Sequence, residues 1–321
     1  MHHPRFLLAA VAPSFLIALL GCAGQAPLPP KAAQLNAAGV DALQRGDLQT
    51  AEARFALALE FHPRFVDALV NLGLVEMQRG NFALARRELD RAVAINRHLA
   101  QPHHGLGVLA ERESQWDEAA EHYRAALEVD PGFAPSRANL ARLYFASDHL
   151  DDAREQFLRL VQVAPDDVHG HAGLAESLLR LGRDDEAAEV VAQGLIYLPG
   201  APELLLLQAR ASLIAGEYAE AQHTLESLTE VPAPVAGAAW SWLGVAHLVQ
   251  SRNPQAIRCA EHALALDRDD PLATYVLAMA LADRGDLNAA GWLDRANALA
   301  PRNSVISAAR ATASHPTPST R

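Results

Sequence analysis

Small and apolar residues recur along this chain with two superposed periods. Over short stretches they fall three and four residues apart, the spacing of one face of an α-helix. Over longer ones the whole pattern returns: Ala51, Ala85, Ala119, Ala153, Ala187, Ala221, Ala256 and Ala289 stand 34, 34, 34, 34, 34, 35 and 33 residues apart. Four residues after these alanines come Phe55, Leu89, Tyr123, Phe157, Val191, Leu225, Ala260 and Leu293. Three further on lie Ala58, Ala92, Ala126, Leu160, Gly194, Leu228, Ala263 and Ala296. The i, i+4, i+7 spacing predicts one buried stripe on one helix in every unit. A fixed long period means stacked units, each leaning on its neighbours.

A second helix precedes each of these. In it a large-small pair recurs: Leu72-Gly73, Leu106-Gly107, Leu140-Ala141, Leu174-Ala175, Leu243-Gly244 and Leu277-Ala278. The small residue admits the paired helix closely and the leucine fills the layer behind it. In the second unit the pattern predicts a helix through Ala68 to Met77, a break at Gly80-Asn81, and a helix over Ala83 to Ile95. Gly46, Gly80, Gly182, Gly216 and Gly285 occupy the corresponding break, where a left-handed residue ends a helix. Ser114, Asp148 and Ser251 stand there in the remaining interior units, which predicts looser turns. Pro63, Pro131, Pro165, Pro199 and Pro301 close five units at one offset.

This pattern resembles the tetratricopeptide repeat, a 34-residue helix-turn-helix with small residues at fixed contacts and a closing proline. The resemblance covers residues 32–301 and implies an all-α fold: a right-handed α-solenoid of about eight repeats, the first helix of each pair lining a concave groove. One extra residue falls near Val231-Pro232-Ala233-Pro234-Val235, where a slight bend or weaker interface is expected rather than a domain boundary. Residues 303–313 are expected to form a short polar helix over the open end, and the tail SHPTPSTR to be disordered.

The amino terminus carries a different signal. Phe6 to Leu20 is largely apolar, too short for a stable span but suited to a signal-peptide core. It runs into Leu19-Leu20-Gly21-Cys22, which resembles the lipobox of bacterial lipoproteins. The resemblance implies removal of residues 1–21 and acylation of Cys22, with multiple chains giving a stable anchor. Ala23, where an aspartate would imply inner-membrane retention, points to the outer membrane with the repeats facing the periplasm. Residues 22–31 then form the lipidated cysteine and a proline-rich tether.

The net charge of −11 on the full chain argues against nucleic acid as a partner. The other cysteine, Cys259, sits in an apolar helical run and is expected to be a small core residue. No phosphate-binding glycine loop, GxSxG elbow or HExxH occurs, so neither catalysis nor a cofactor is expected. His103-His104 and His169-Gly170-His171 do not converge on one ion by helical geometry and are expected as solvated surface residues. Asp151-Asp152, Asp166-Asp167 and Asp184-Asp185 fall at turns or helix starts, where acids complement the dipole. Trp240, three residues before Leu243, is expected in the core; Trp242 is left open between core and binding platform.

Oriented by the family fold, the concave side carries Val70, Leu74, Met77 and Gln78, then His104, Val108, Glu111 and Arg112, then Arg142 and Phe145, Glu176 and Arg180, and Arg210. Apolar residues beside guanidinium groups suit an extended peptide segment. Two readings stand: the arginines bind such a segment, or they pair internally with Glu111 and Glu176. Cochaperone members of the family clamp a terminal carboxylate with lysine and asparagine; Asn71 and Asn139 match part of that pattern, and its lysines are missing.

Lipoprotein signal plus repeats resembles the pilotins of type IV pili and the repeat lipoproteins of tight-adherence pili. The resemblance implies a non-catalytic envelope adaptor whose partner is a secretin or pilus component. Alternative partners are envelope enzymes such as murein hydrolases and proteases, or a separately encoded glycosyltransferase.

Overall fold

A computed structural model describes residues 27–299, and among them there are sixteen α-helices and no strand. They run as eight antiparallel pairs: α1 (Pro30–Gln44) with α2 (Leu48–Phe61), α3 (Val66–Gln78) with α4 (Phe82–Ile95), α5 (Ala100–Arg112) with α6 (Trp116–Val129), and α7 (Ala134–Ala146) with α8 (Leu150–Val163). The series continues with α9 (Val168–Arg180) and α10 (Asp184–Tyr197), α11 (Pro202–Ala215) and α12 (Tyr218–Leu228), α13 (Val235–Val249) and α14 (Asn253–Leu266), and α15 (Pro271–Asp283) and α16 (Ala289–Leu299). The result is an all-α solenoid. Cys22, the apolar stretch before it, residues 303–313 and the SHPTPSTR tail lie outside the described residues. Pro30 and Lys31, which composition assigns to the tether, begin α1, where proline's fixed φ and missing N–H suit the first turn. No described helix is long and apolar enough to cross a membrane.

The eight marker alanines are all buried, at 0–8% exposure. At Ala85 and Ala256 the backbone oxygens lie 3.4 and 3.6 Å from where a Cβ on Gly73 and Gly244 of the first helix would stand, so bulk there would push the helices apart. At Gly107 the reason is direct: a Cβ there would stand 2.5 Å from the Tyr123 ring, which is itself fully buried. Acidic side chains occupy helix starts as expected: Asp167 accepts from Gly170 N at 2.7 Å, and Asp151, Asp152, Asp184 and Asp185 sit in the first turns of α8 and α10.

The turns at Ser114, Asp148 and Ser251 are not looser than the glycine turns. These residues adopt φ of 61°, 65° and 58°, beside 80° at Gly80. They also make the same closing bonds. Gln115 N donates to Ala110 O at 2.8 Å and Ser114 N to Glu111 O at 3.0 Å; Asn81 N and Gly80 N do the same to Glu76 O and Met77 O. This double bond pattern satisfies the last carbonyls of the helix. The gain outweighs the left-handed strain on a non-glycine residue.

The insertion near 231–235 leaves the core continuous. A single apolar cluster runs from Ala209 and Leu213 on α11, through Leu243 and Trp242 on α13, to Tyr275 on α15 and Ala296 on α16. The extra residue is absorbed between α12 and α13, so the first helices on either side still meet.

Candidate partner-binding groove

Consecutive first helices touch one another along the whole stack, from α1 against α3 to α13 against α15, whereas second helices pack chiefly on the first helices of their own and the next unit. The first-helix side is therefore the tighter, inner wall. Every residue predicted for the groove lies on these helices, but not all of it is open.

Val70 and Met77 are each only 6% exposed and join a buried cluster with Leu106 and Leu109 of α5. The approach of α5 to α3 closes over them, so they support the wall rather than line it. Leu74 and Val108 are half-buried, and Gln78 is exposed. His104 is half-buried too, 5.7 Å from the Tyr123 ring and 5.5 Å from Phe133, with Nδ1 3.0 Å from Ser136 Oγ on α7. Burial pulls its pKa down to about 4, so it is neutral at pH 7.

The solvated reading of the histidines therefore fails for His104 and His171. His171 is buried with Nε2 2.9 Å from Pro165 O, because both rings face the seam between units; His169 is exposed. Trp242 is the deeply buried tryptophan, at 4% exposure. Trp240 is half-buried and stacks on the His262 ring at 4.5 Å. The difference arises because α13 is flanked by first helices on both sides, and Trp242 faces α11. Cys259 is buried in the same region, and burial raises its thiol to about 11, which makes it an unreactive core residue at neutral pH.

The arginines form a stepped series. Arg142 Nη2 donates to Glu111 Oε2 at 3.0 Å and to Asn139 Oδ1 at 3.1 Å. Arg210 Nη1 donates to Glu176 Oε2 at 2.6 Å, and its guanidinium lies 4.8 Å from the Trp242 ring centre. Arg180 pairs with Asp148, a turn residue that the sequence reading did not connect to it, and covers the Phe145 ring at 4.7 Å. Arg142 and Arg210 thus pair with Glu111 and Glu176 in the unliganded chain. Arg112 is exposed and makes no ion pair among the described residues. Asn71 Nδ2 donates to Asn36 Oδ1 at 3.1 Å and Asn139 Nδ2 to Tyr123 Oη at 3.1 Å, so both asparagines serve inter-helix bonds.

Sequence reasoning missed Asn36 and Ser136, and placed Asp148 at a turn without its pairing to Arg180. The signal was present: each bonds a residue 32 to 35 positions away, close to one repeat period. A polar residue with a complementary one about one period later marks a bond across a step of the wall.

Family models for the tetratricopeptide repeat match residues 64–131, 110–176, 168–193, 206–257 and 246–304. The structure is similar to a tetratricopeptide repeat protein from Parabacteroides merdae, with a TM-score of 0.55 and 18% identity over 79% of this chain and 100% of the other. It is similar to PilF of Pseudomonas aeruginosa, with a TM-score of 0.55 and 22% identity over 65% and 94% of the two chains. A chain of the APC/C hetero-tetramer Cut9–Hcn1 gives 0.59 at 17% identity, over 84% of this chain and 55% of that one. At such identities the likeness is one of fold. With the paired helices, the buried alanine stripe and the matched models in agreement, the chain belongs to the tetratricopeptide repeat family.

Proposed function

We propose that this chain is a non-catalytic scaffold of the bacterial envelope, held to the outer membrane through lipid on Cys22, and that an extended segment of a partner protein lies along its inner wall. The observation that carries the reading is the alternation on that wall of apolar surface at Leu74, Val108 and Phe145 with guanidinium groups at Arg112, Arg142 and Arg180. Apolar contacts anchor a segment, and fixed donor forks set its register. The repeat architecture supports it, since a stacked wall offers one long continuous surface instead of an enclosed pocket. The finer assignment, to assembly of a pilus or secretin complex, rests on the resemblance of Leu19-Leu20-Gly21-Cys22 to a lipobox joined to these repeats.

A photo-crosslinking residue at position 108, used in cells, tests both levels. Recovery of a secretin or pilus component supports the full reading. A murein hydrolase or protease keeps the scaffold and replaces the pilus role. Crosslinks that form from a probe at Glu121 on the second helix α6 and not from position 108 would overturn the groove itself.

A further inference from the structure

We infer that the step between the third and fourth units receives a carboxylate-bearing, acidic segment of the partner, and that Glu111 is the internal carboxylate which that segment displaces. The inference rests on the reading of the inner wall as the partner-binding surface, and it names the chemistry of what binds there.

The three arginine-carboxylate pairs of the wall differ in which charge they show to solvent. At the Arg180–Asp148 pair the carboxylate is outermost, with side-chain exposures of 23% for the arginine and 73% for the acid. At Arg210–Glu176 both are withdrawn, at 10% and 23%. At Arg142–Glu111 the order reverses: the arginine is 57% exposed and the glutamate 18%. This is the step of the wall at which an internal pair turns its cation outward.

Two further features act at the same step. Arg142 commits only its Nη2 to Glu111 and Asn139, and its Nη1 and Nε have no hydrogen-bond partner among the described residues. Arg112, the residue after Glu111 at the end of α5, is exposed and unpaired among the described residues. Arg142, paired with Glu111, and Arg112, the next residue after Glu111 along α5, thus both present open donor positions at this step. Val108 lies one turn before Arg112 on α5, and Phe145 one turn after Arg142 on α7, both half-buried. They give apolar neighbours on either side of the cations. Guanidinium forks bind carboxylates in bidentate fashion, and each fork of Arg142 joins Nη2 to Nη1 or to Nε, so a partner carboxylate that takes a whole fork displaces Glu111 from Nη2. The whole chain carries a net charge of −11, so its general field repels acidic ligands. Preference for an acidic segment has to originate locally, and this step supplies the positive surface for it.

The test uses the purified full chain and a labelled peptide of about twelve residues that alternates glutamate and leucine, beside its glutamine-leucine counterpart, with binding read by fluorescence anisotropy. The glutamate peptide is expected to bind about tenfold more tightly, and the preference to weaken as salt rises. Arg112→Gln combined with Arg142→Gln should abolish the preference. Glu111→Gln, which removes the internal competitor and keeps the side chain's shape, should tighten binding about three- to tenfold with unchanged circular dichroism. Equal binding of the two peptides, or weaker binding after Glu111→Gln, overturns the inference. In cells, a partner that crosslinks from position 108 equally well in wild type and in the double arginine variant sinks the acidic segment alone. Absence of any partner from positions 74, 108 and 145 sinks the partner-binding wall as well.

Discussion

Arg210 is held between Glu176 and Trp242: the carboxylate of the preceding first helix accepts its Nη1 at 2.6 Å, and the indole of the following one lies 4.8 Å from the guanidinium carbon. Three consecutive units are joined through one residue that is only 9% exposed. Trp242→Ala should cost about 3–5 kcal/mol in equilibrium denaturation, since a large buried ring is lost from the seam. A double-mutant cycle of Arg210→Met and Trp242→Leu should give a coupling of about 1–2 kcal/mol. Additive effects would mean the ring and the cation merely sit side by side.

Ser114 and Ser251 occupy left-handed turns with φ of 61° and 58°. A left-handed L-residue costs roughly 1–2 kcal/mol, and glycine gives back part of that gain through its extra freedom when unfolded. Ser114→Gly and Ser251→Gly should each stabilise the chain by about 0.5–1 kcal/mol. A fall in melting temperature for either variant would show that the serine makes a compensating contact.

Gly107→Ala should destabilise by about 1–3 kcal/mol, because overpacking forces buried neighbours to move. The new Cβ would meet the Tyr123 ring at 2.5 Å. Gly291→Ala meets nothing within 4 Å and serves as the control. Equal stability of the two variants in urea titrations would refute the close-approach argument.

His104 is neutral in the folded chain because burial lowers its pKa from 6.5 to about 4. Between those values the unfolded chain takes up a proton that the folded chain refuses. The contribution to stability is therefore complete above pH 6.5 and is lost as pH falls toward 4. His122 and His247 are also lowered by burial and act in the same direction, so wild type should weaken markedly in acid. His104→Gln should show a smaller drop in denaturation midpoint between pH 7 and pH 4.5. An unchanged drop would assign the acid sensitivity to the other histidines.

On the proposed lipid anchor, Cys22→Ala should shift the protein out of the outer-membrane fraction, without altering the helical content of the repeats. Continued co-sedimentation with outer membranes, reversed by detergent, would refute the lipid anchor.

The chain's own pattern determined most of the architecture. The alanine stripe, the large-small pairs and the closing prolines specify helices, turns and a stacking period, and the fold follows them from α1 to α16. Such features are legible because they are local: each unit repeats the same short-range geometry and packs on its immediate neighbour. The assignment of residues to the inner wall came from the family fold and not from the local pattern.

Their availability was legible in neither. Val70 and Leu74 stand one turn apart on α3, yet the first is closed over by α5 and the second remains half open. Arg142, Arg180 and Arg210 look alike along the chain, but their carboxylates come from a helix or a turn about one unit earlier and face solvent to different degrees. Ser114 and Asp148 read as looser turns until the bonds that hold them left-handed are seen. In each case the outcome depends on how one unit is set against the next. The period gives the spacing of the units, and only the packed solenoid fixes which side chains meet across each step and which are left facing water.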